Sequence, residues 1–230
     1  QRYGALVWSG DIDSSWEDFR KQMCAGLSIS LAGIPWWTTD IGGFTGGDPT
    51  DPAFRELLVR WFQWGAFCPV MRLHGDREPH TEPTRKDGSK ALFTGADNEV
   101  WSFGEEAYPI LTNYMALRET MRDYVRELMK QAHEDGSPVM RAMFYEFPED
   151  KKCWELKDQY MFGPDLLVAP VMAPGATSRE VYLPEGCTWT CMRDGAVLEG
   201  GQTVEADAPL SCIPVYLRNG AHAEWVGKNA

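Results

Sequence analysis

The sequence predicts an α/β chain in two parts. Strand–helix units of the kind that alternate around a barrel fill residues 1–152, and a small antiparallel β domain fills 153–230. Three observations carry this. Short apolar runs that suit buried parallel strands alternate with stretches of helical spacing as far as residue 135. Gly, Pro and Asp punctuate the junctions. After Pro148 the pattern changes to short strands between turns: LLVAPV (166–171), EVYLP (180–184), TWTCMRD (188–194), QTVEA (202–206) and IPVYLR (213–218).

Taken in order, the first run ends at Val7 and Trp8, and WSGDIDSSWEDF (8–19) follows it. Ser14, three residues before Glu17, makes an S-x-x-E capping box, so a helix is expected from Ser15. Trp16, Phe19, Met23, Cys24 and Leu27 then recur at helical spacing, with Gly26 and Ser28 loosening the helix end. Residues 31–39 (LAGIPWWTT) read as a second buried strand, and IGGFTGGDP as the loop after it. Asp51-Pro52 reads as an N-cap followed by Pro at the first helical position, with Phe54, Leu57, Leu58, Trp61 and Phe62 along one face up to Gly65. Residues 67–73 (FCPVMRL) read as extended, delivering Arg72 and His74 into a polar stretch, and 75–95 as one long loop. A single helix is expected from about 105 to 135, ended by Gly136-Ser137-Pro138, and 139–147 (VMRAMFYEF) as a strand.

Composition narrows the function. A formal net charge of −12, without a long Lys/Arg cluster, argues against nucleic acid as a partner. No apolar run approaches the roughly 20 residues that span a bilayer, so no membrane partner is expected. Gln1 stands in mid-strand where a Met would open a chain, which reads as an incomplete fragment. The six cysteines show no paired CxxC spacing, so neither zinc nor a disulfide framework is indicated, and unpaired thiols favour a cytoplasmic setting.

Asp11 and Asp40 end successive predicted parallel strands and should project toward one mouth, where loops of such barrels hold active sites. Trp8, Trp36, Trp37 and Phe44 beside them supply flat apolar faces next to polar groups, as a sugar ring requires. Paired carboxylates beside aromatics point to glycoside hydrolysis, in which one acid protonates the leaving oxygen and the other acts as nucleophile or base. The plainer alternatives remain open: Asp11 as a solvated turn residue, Asp40 as a cap on its Gly-rich turn. A metal at Asp40, His74, Asp76 and His80 is a competing chemistry, although the histidines lack helical ligand spacing. Ser9 lacks the first Gly of a G-x-S-x-G elbow, which weighs against a serine triad. His133 and His222 have no motif around them. Met115, Met121 and Met129 read as core filler, and Trp61 and Trp64 as helix residues packed on the barrel.

The motifs QRYGALVWSGD (1–11), SWEDFRKQMCAGLSISLAGIPWWTTDIGGF (15–44), GAFCPVMRLHG (65–75), SPVMRAMFYEFPED (137–150) and QYMFGPDLLVAPV (159–171) together resemble glycoside hydrolase family 31. The resemblance covers essentially the whole chain. It implies the C-terminal portion of a (β/α)8 TIM barrel followed by a small β-sandwich. It implies a retaining, exo-acting α-glycoside hydrolase that attacks the non-reducing ends of α-linked oligosaccharides without a cofactor or metal. By it, Asp11 matches the general acid/base, Asp40 and His74 match contacts to sugar hydroxyls, and Trp8 matches an aromatic wall. Trp36, Trp37 and Phe44 belong to the same pocket more weakly. Arg72 is either a sugar contact or half of a structural ion pair. The nucleophile and a substrate-binding Arg match nothing here, which implies that the 230 residues alone are inactive. WTTDIGGF with QRYGALVWSGD looks more like α-xylosidases than α-glucosidases. A non-catalytic carbohydrate-binding role is the alternative of a different class.

Overall fold

The computed structural model describes residues 5–229; part of the opening motif, residues 1–4, lies outside them. Three extended segments run side by side in one direction. Strand β1 (Val7–Trp8) pairs in parallel with β2 (Trp37–Thr38), Val7 opposite Trp37. Residues 67–73 follow β2 without regular strand geometry. Their hydrogen bonds run from Val70 N to Trp37 O, from Thr38 Oγ1 to Val70 O and from Ile41 N to Arg72 O.

Helix α1 (Trp16–Leu31) joins the first two segments and α2 (Pro52–Gly65) the second and third. The N-cap of α1 is Ser15, which accepts from Asp18 N at 3.1 Å. The S-x-x-acid pattern that works is therefore one residue later than the Ser14–Glu17 pair read from the sequence, since Ser14 is drawn elsewhere, to Gly46 O. Nor does Gly26 loosen the helix, which continues to Leu31. A Cβ at Gly26 would stand 2.7 Å from the Trp37 indole nitrogen, so glycine here permits α1 to lie directly on that ring.

Helix α2 carries the expected Asp51 cap, with Asp51 Oδ1 accepting from Ala53 N at 3.0 Å, and Pro52. It is buried on all sides from Leu57 to Gly65. The fully buried Arg60 donates to the carbonyls of Ala176, Ala208, Pro209 and Cys212, and Gln63 to that of Leu210. One helix thereby joins the parallel segments to the C-terminal region.

The long polar loop is partly ordered as a hairpin, β3 (Arg77–Thr81) against β4 (Thr94–Ala96). The expected single helix is two, α3 (Gly104–Thr120) and α4 (Arg122–Glu134), parted at the buried Met121. Within 139–147 only β5 (Met140–Ala142) is strand, and α5 (Met143–Glu146) follows as a single turn.

The remaining strands are β6 (Tyr160–Phe162), β7 (Leu166–Val168), β8 (Ser178–Leu183), β9 (Thr188–Cys191), β10 (Val197–Glu199), β11 (Gln202–Asp207) and β12 (Val215–Arg218). They form a six-stranded antiparallel sheet, in the order β10-β9-β12-β7-β6-β5, and a second sheet of β8 and β11. Alternate residues explain the apolar runs. Tyr160, Phe162, Leu166 and Val168 join the core that holds α1 and α2, whereas Met161, Leu167 and Tyr216 pack with Val181, Leu183 and Ala206 of the second sheet. With both faces buried, these strands lose the alternation of a half-exposed sheet. Among the described residues no helix is long and apolar enough to cross a membrane.

Candidate active site

The loops that leave the three parallel segments at their C-terminal ends are laced together. Thr45 forms parallel bridges with Asp13 on one side and Asp76 on the other. Phe44 donates its N–H to Ile12 O at 2.8 Å and accepts from Asp76 N at 2.7 Å. The IGG sequence makes the approach possible: at Gly43, with φ of +80°, a Cβ would lie 2.6 Å from Asp13 O.

Asp40 lies at the bottom of this arrangement, 0% exposed, two residues past the end of β2. Its N–H donates to Ser9 Oγ at 3.1 Å, which ties it to the residue after β1. Arg72 Nη2 stands 2.9 Å from Oδ1, but out of line for a hydrogen bond. Among the described residues neither carboxylate oxygen accepts a hydrogen bond from a protein group. Such a buried acceptor is costly unless a ligand or water meets it. Burial pushes the Asp40 carboxyl pKa up, Arg72 and His74 pull it back, and Asp11 raises it again. Asp11 is thus close enough for its charge to be felt at Asp40. Asp11 itself is exposed at the loop surface.

Around this pair, Phe44 is half-buried and its ring centroid lies 5.4 Å from that of the exposed His74. His74 also borders a cleft of about 630 Å³ lined by Met71, Leu73, Trp101 and Met115. Trp8 is 49% exposed, and Trp36 is partly buried against the main core. The expectation for Trp37 is corrected: its ring is 1% exposed and lies on Gly26 of α1, on the helix side of the segment and away from any open surface. The period of two in a strand separates Trp37 from Trp36 and Asp40.

The four residues weighed for a metal do not converge. His80 bonds Asp76 Oδ2 at 2.8 Å and lies near Glu78, Asp40 pairs with Arg72, and among the described residues no group of three or more His, Cys, Asp or Glu could hold an ion.

Two residues at the site carried no signal in the sequence. Ser9, considered only as a nucleophile, is the anchor for Asp40 N–H. Arg77, inside the supposed loop, is fully buried and bonds to both site loops. The only hint was an arginine next to Asp76 in a stretch otherwise built for solvent.

The profile of the "Glycosyl hydrolases family 31 TIM-barrel domain" matches residues 1–128, and that of the "Glycosyl hydrolase family 31 C-terminal domain" matches 136–221. The chain belongs to glycosyl hydrolase family 31. Within family 31 it is similar to an α-xylosidase of Saccharolobus solfataricus, 37% identical over 100% of this chain and 29% of the relative. It is also similar to α-glucosidase 2 of Bacillus thermoamyloliquefaciens, 35% identical over 96% of this chain and 25% of the relative. Among solved structures it resembles a family 31 α-xylosidase from a soil metagenome complexed with xylose. That match is 56% identical with a TM-score of 0.92 and covers 98% of this chain and 34% of the other. The chain thus spans about a third or less of the length of these relatives.

Proposed function

We propose that this chain is part of a retaining, exo-acting α-xylosidase. The observation that carries the reading is the placing of Asp11 and Asp40 after two hydrogen-bonded parallel strands, one carboxyl exposed and the other buried beside Arg72 with no hydrogen-bond donor to its oxygens among the described residues. An exposed carboxyl can reach a glycosidic oxygen and then a water, as the general acid/base of double displacement must. A buried carboxylate with free acceptor positions suits sugar hydroxyls, which donate into it and relieve its desolvation. In this reading Arg72 keeps Asp40 ionised while its half-exposed guanidinium stays within reach of the sugar. His74, stacked beside Phe44, is a second hydroxyl contact, and Trp8 and Trp36 offer apolar faces.

The three parallel segments with α1 and α2 are read as the C-terminal units of a (β/α)8 barrel, and residues 153–230 as a domain of their own that β5 enters from the barrel side. Likeness to the xylose-complexed α-xylosidase favours xylose over glucose. The nucleophile is assigned to no carboxylate of this chain, so the 230 residues alone are expected to give no turnover, checked by assaying the purified chain.

The full-length gene product, assayed on matched 4-nitrophenyl α-xyloside and α-glucoside, tests the rest. Asp11→Asn is expected to lower xyloside turnover by about 10²- to 10⁴-fold. A glucoside preference moves the reading to α-glucosidase, and an active Asp11→Asn removes Asp11 from the mechanism.

A further inference from the structure

Arg77 is 0% exposed, and among the described residues no carboxylate pairs with its guanidinium. Its donors instead go to five acceptors. Nη1 reaches Ser14 Oγ at 3.1 Å, Gly43 O at 2.9 Å and Gly46 O at 3.1 Å. Nη2 reaches Ile41 O at 3.0 Å, and Nε reaches Asn98 Oδ1 at 2.8 Å. Ser14 lies three residues past Asp11, and 41–46 is the loop that leaves Asp40 and carries Phe44. Gly75, next to His74, sits so close that a Cβ there would be 2.5 Å from the guanidinium. One planar group therefore touches the loops of Asp11, of Asp40 and of His74. The ring of Phe54 lies 4.9 Å beneath it. Burying an unpaired cation is costly, and a surface hairpin has no need of one.

We propose that Arg77 is a positioning residue of the site: its guanidinium fixes the spacing between the Asp11 loop and the Asp40–Phe44 loop. This rests on the α-glycosidase reading above. The charged groups that act on Asp40 are Arg72, His74 and Arg77, which favour the carboxylate, and Asp11, which opposes it. Arg77 in turn feels Asp40 and Asp76. An ammonium in its place would supply the charge but not the planar fork, so charge and spacing are separable.

The test is kinetic, in the full-length gene product on 4-nitrophenyl α-xyloside, with melting curves ensuring that rates refer to folded protein. Arg77→Met is expected to lower kcat/KM by about 100-fold, the scale of a 1 Å misplacement. It should also move the acidic limb of the pH profile upward, because Asp40 loses one of its cations. Arg77→Lys is expected to restore the limb while leaving most of the loss in kcat/KM. If Arg77→Met does not fold, Arg77→Lys and Ser14→Ala carry the test, each expected to lower kcat without moving the limb. A folded Arg77→Lys and Ser14→Ala that both stay within about twofold of wild type, beside an inactive Asp40→Asn, overturn the proposal and leave the site reading standing. An active Asp40→Asn overturns the site reading and the proposal with it.

Discussion

Arg60 and Arg77 are both fully buried, both lack a carboxylate partner in the described structure and both donate mainly to backbone carbonyls. The regions they organise differ. Arg60 joins α2 to turns of the C-terminal region, so its acceptors belong to segments packed on rigid core. Arg77 joins loops that carry charged side chains pointing outward from the segments. A buried guanidinium with carbonyl partners is a general device for holding irregular backbone, because five donors can satisfy several loops at once. At the α2 seam the device secures the fold. At the mouth it holds together groups that repel one another and resist burial, so stability and function there pull in opposite directions.

The largest expected effect that breaks this contrast is at the seam. Arg60→Met leaves four carbonyls without their donor, those of Ala208 and Cys212 in the interior, and should destabilise by about 3 kcal/mol, a fall in melting temperature of roughly 10 °C. Thermal unfolding followed by circular dichroism checks it, and a fall as small as that of a surface substitution would mean that water replaces the arginine. Next is Gly26→Ala, which drives a methyl group into the Trp37 ring. Overpacking there costs about 1–3 kcal/mol, offset by about 1 kcal/mol of helix propensity, so a net loss is expected where an exposed glycine would show a gain.

Ser15→Ala removes the cap of α1 on the mouth side and should cost about 1 kcal/mol in denaturant unfolding. The same change at Ser14 should be smaller for the helix, since Ser14 does not cap it. The smallest effect has the opposite sign. Burial raises the Asp40 pKa above its unfolded value, so the native state binds the proton more tightly. Its contribution to stability is therefore greatest in acid and declines as pH rises through the two pKa values. At neutral pH Asp40→Asn is expected to raise the melting temperature while abolishing activity, and to flatten that decline. A variant less stable than wild type at neutral pH would mean that Arg72 more than offsets the desolvation.

Much of this was legible in the sequence because it depends on local rules. The Asp51-Pro52 start of α2, the apolar run of β7 and the delivery of Arg72 and His74 after 67–73 need only capping chemistry and periodicity. The two acidic positions were legible as strand ends. What the sequence concealed depends on partners distant in the chain. Trp36 and Trp37 are adjacent and chemically alike, and only the pleat decides that one faces α1. Gly26 reads as a weak point of a helix until Trp37 is beside it. Arg77 lies in a polar stretch where an arginine is ordinary, and its five acceptors come from segments up to 63 residues away. The Ser14–Ser15 ambiguity is of the same kind, since a long-range bond to Gly46 removes Ser14 from the contest for the cap.

The order of the six-stranded sheet has a consequence for how the chain is made. β12, the last strand among the described residues, lies between β7 and β9 in the middle of the sheet. As the polypeptide emerges from the ribosome, β5-β6-β7 and the β9-β10 hairpin can each form early, but each keeps an open edge with unpaired backbone groups until residues 215–218 arrive. A stop codon just before β12 would leave two separate half-sheets whose exposed edges are free to pair with those of other nascent chains.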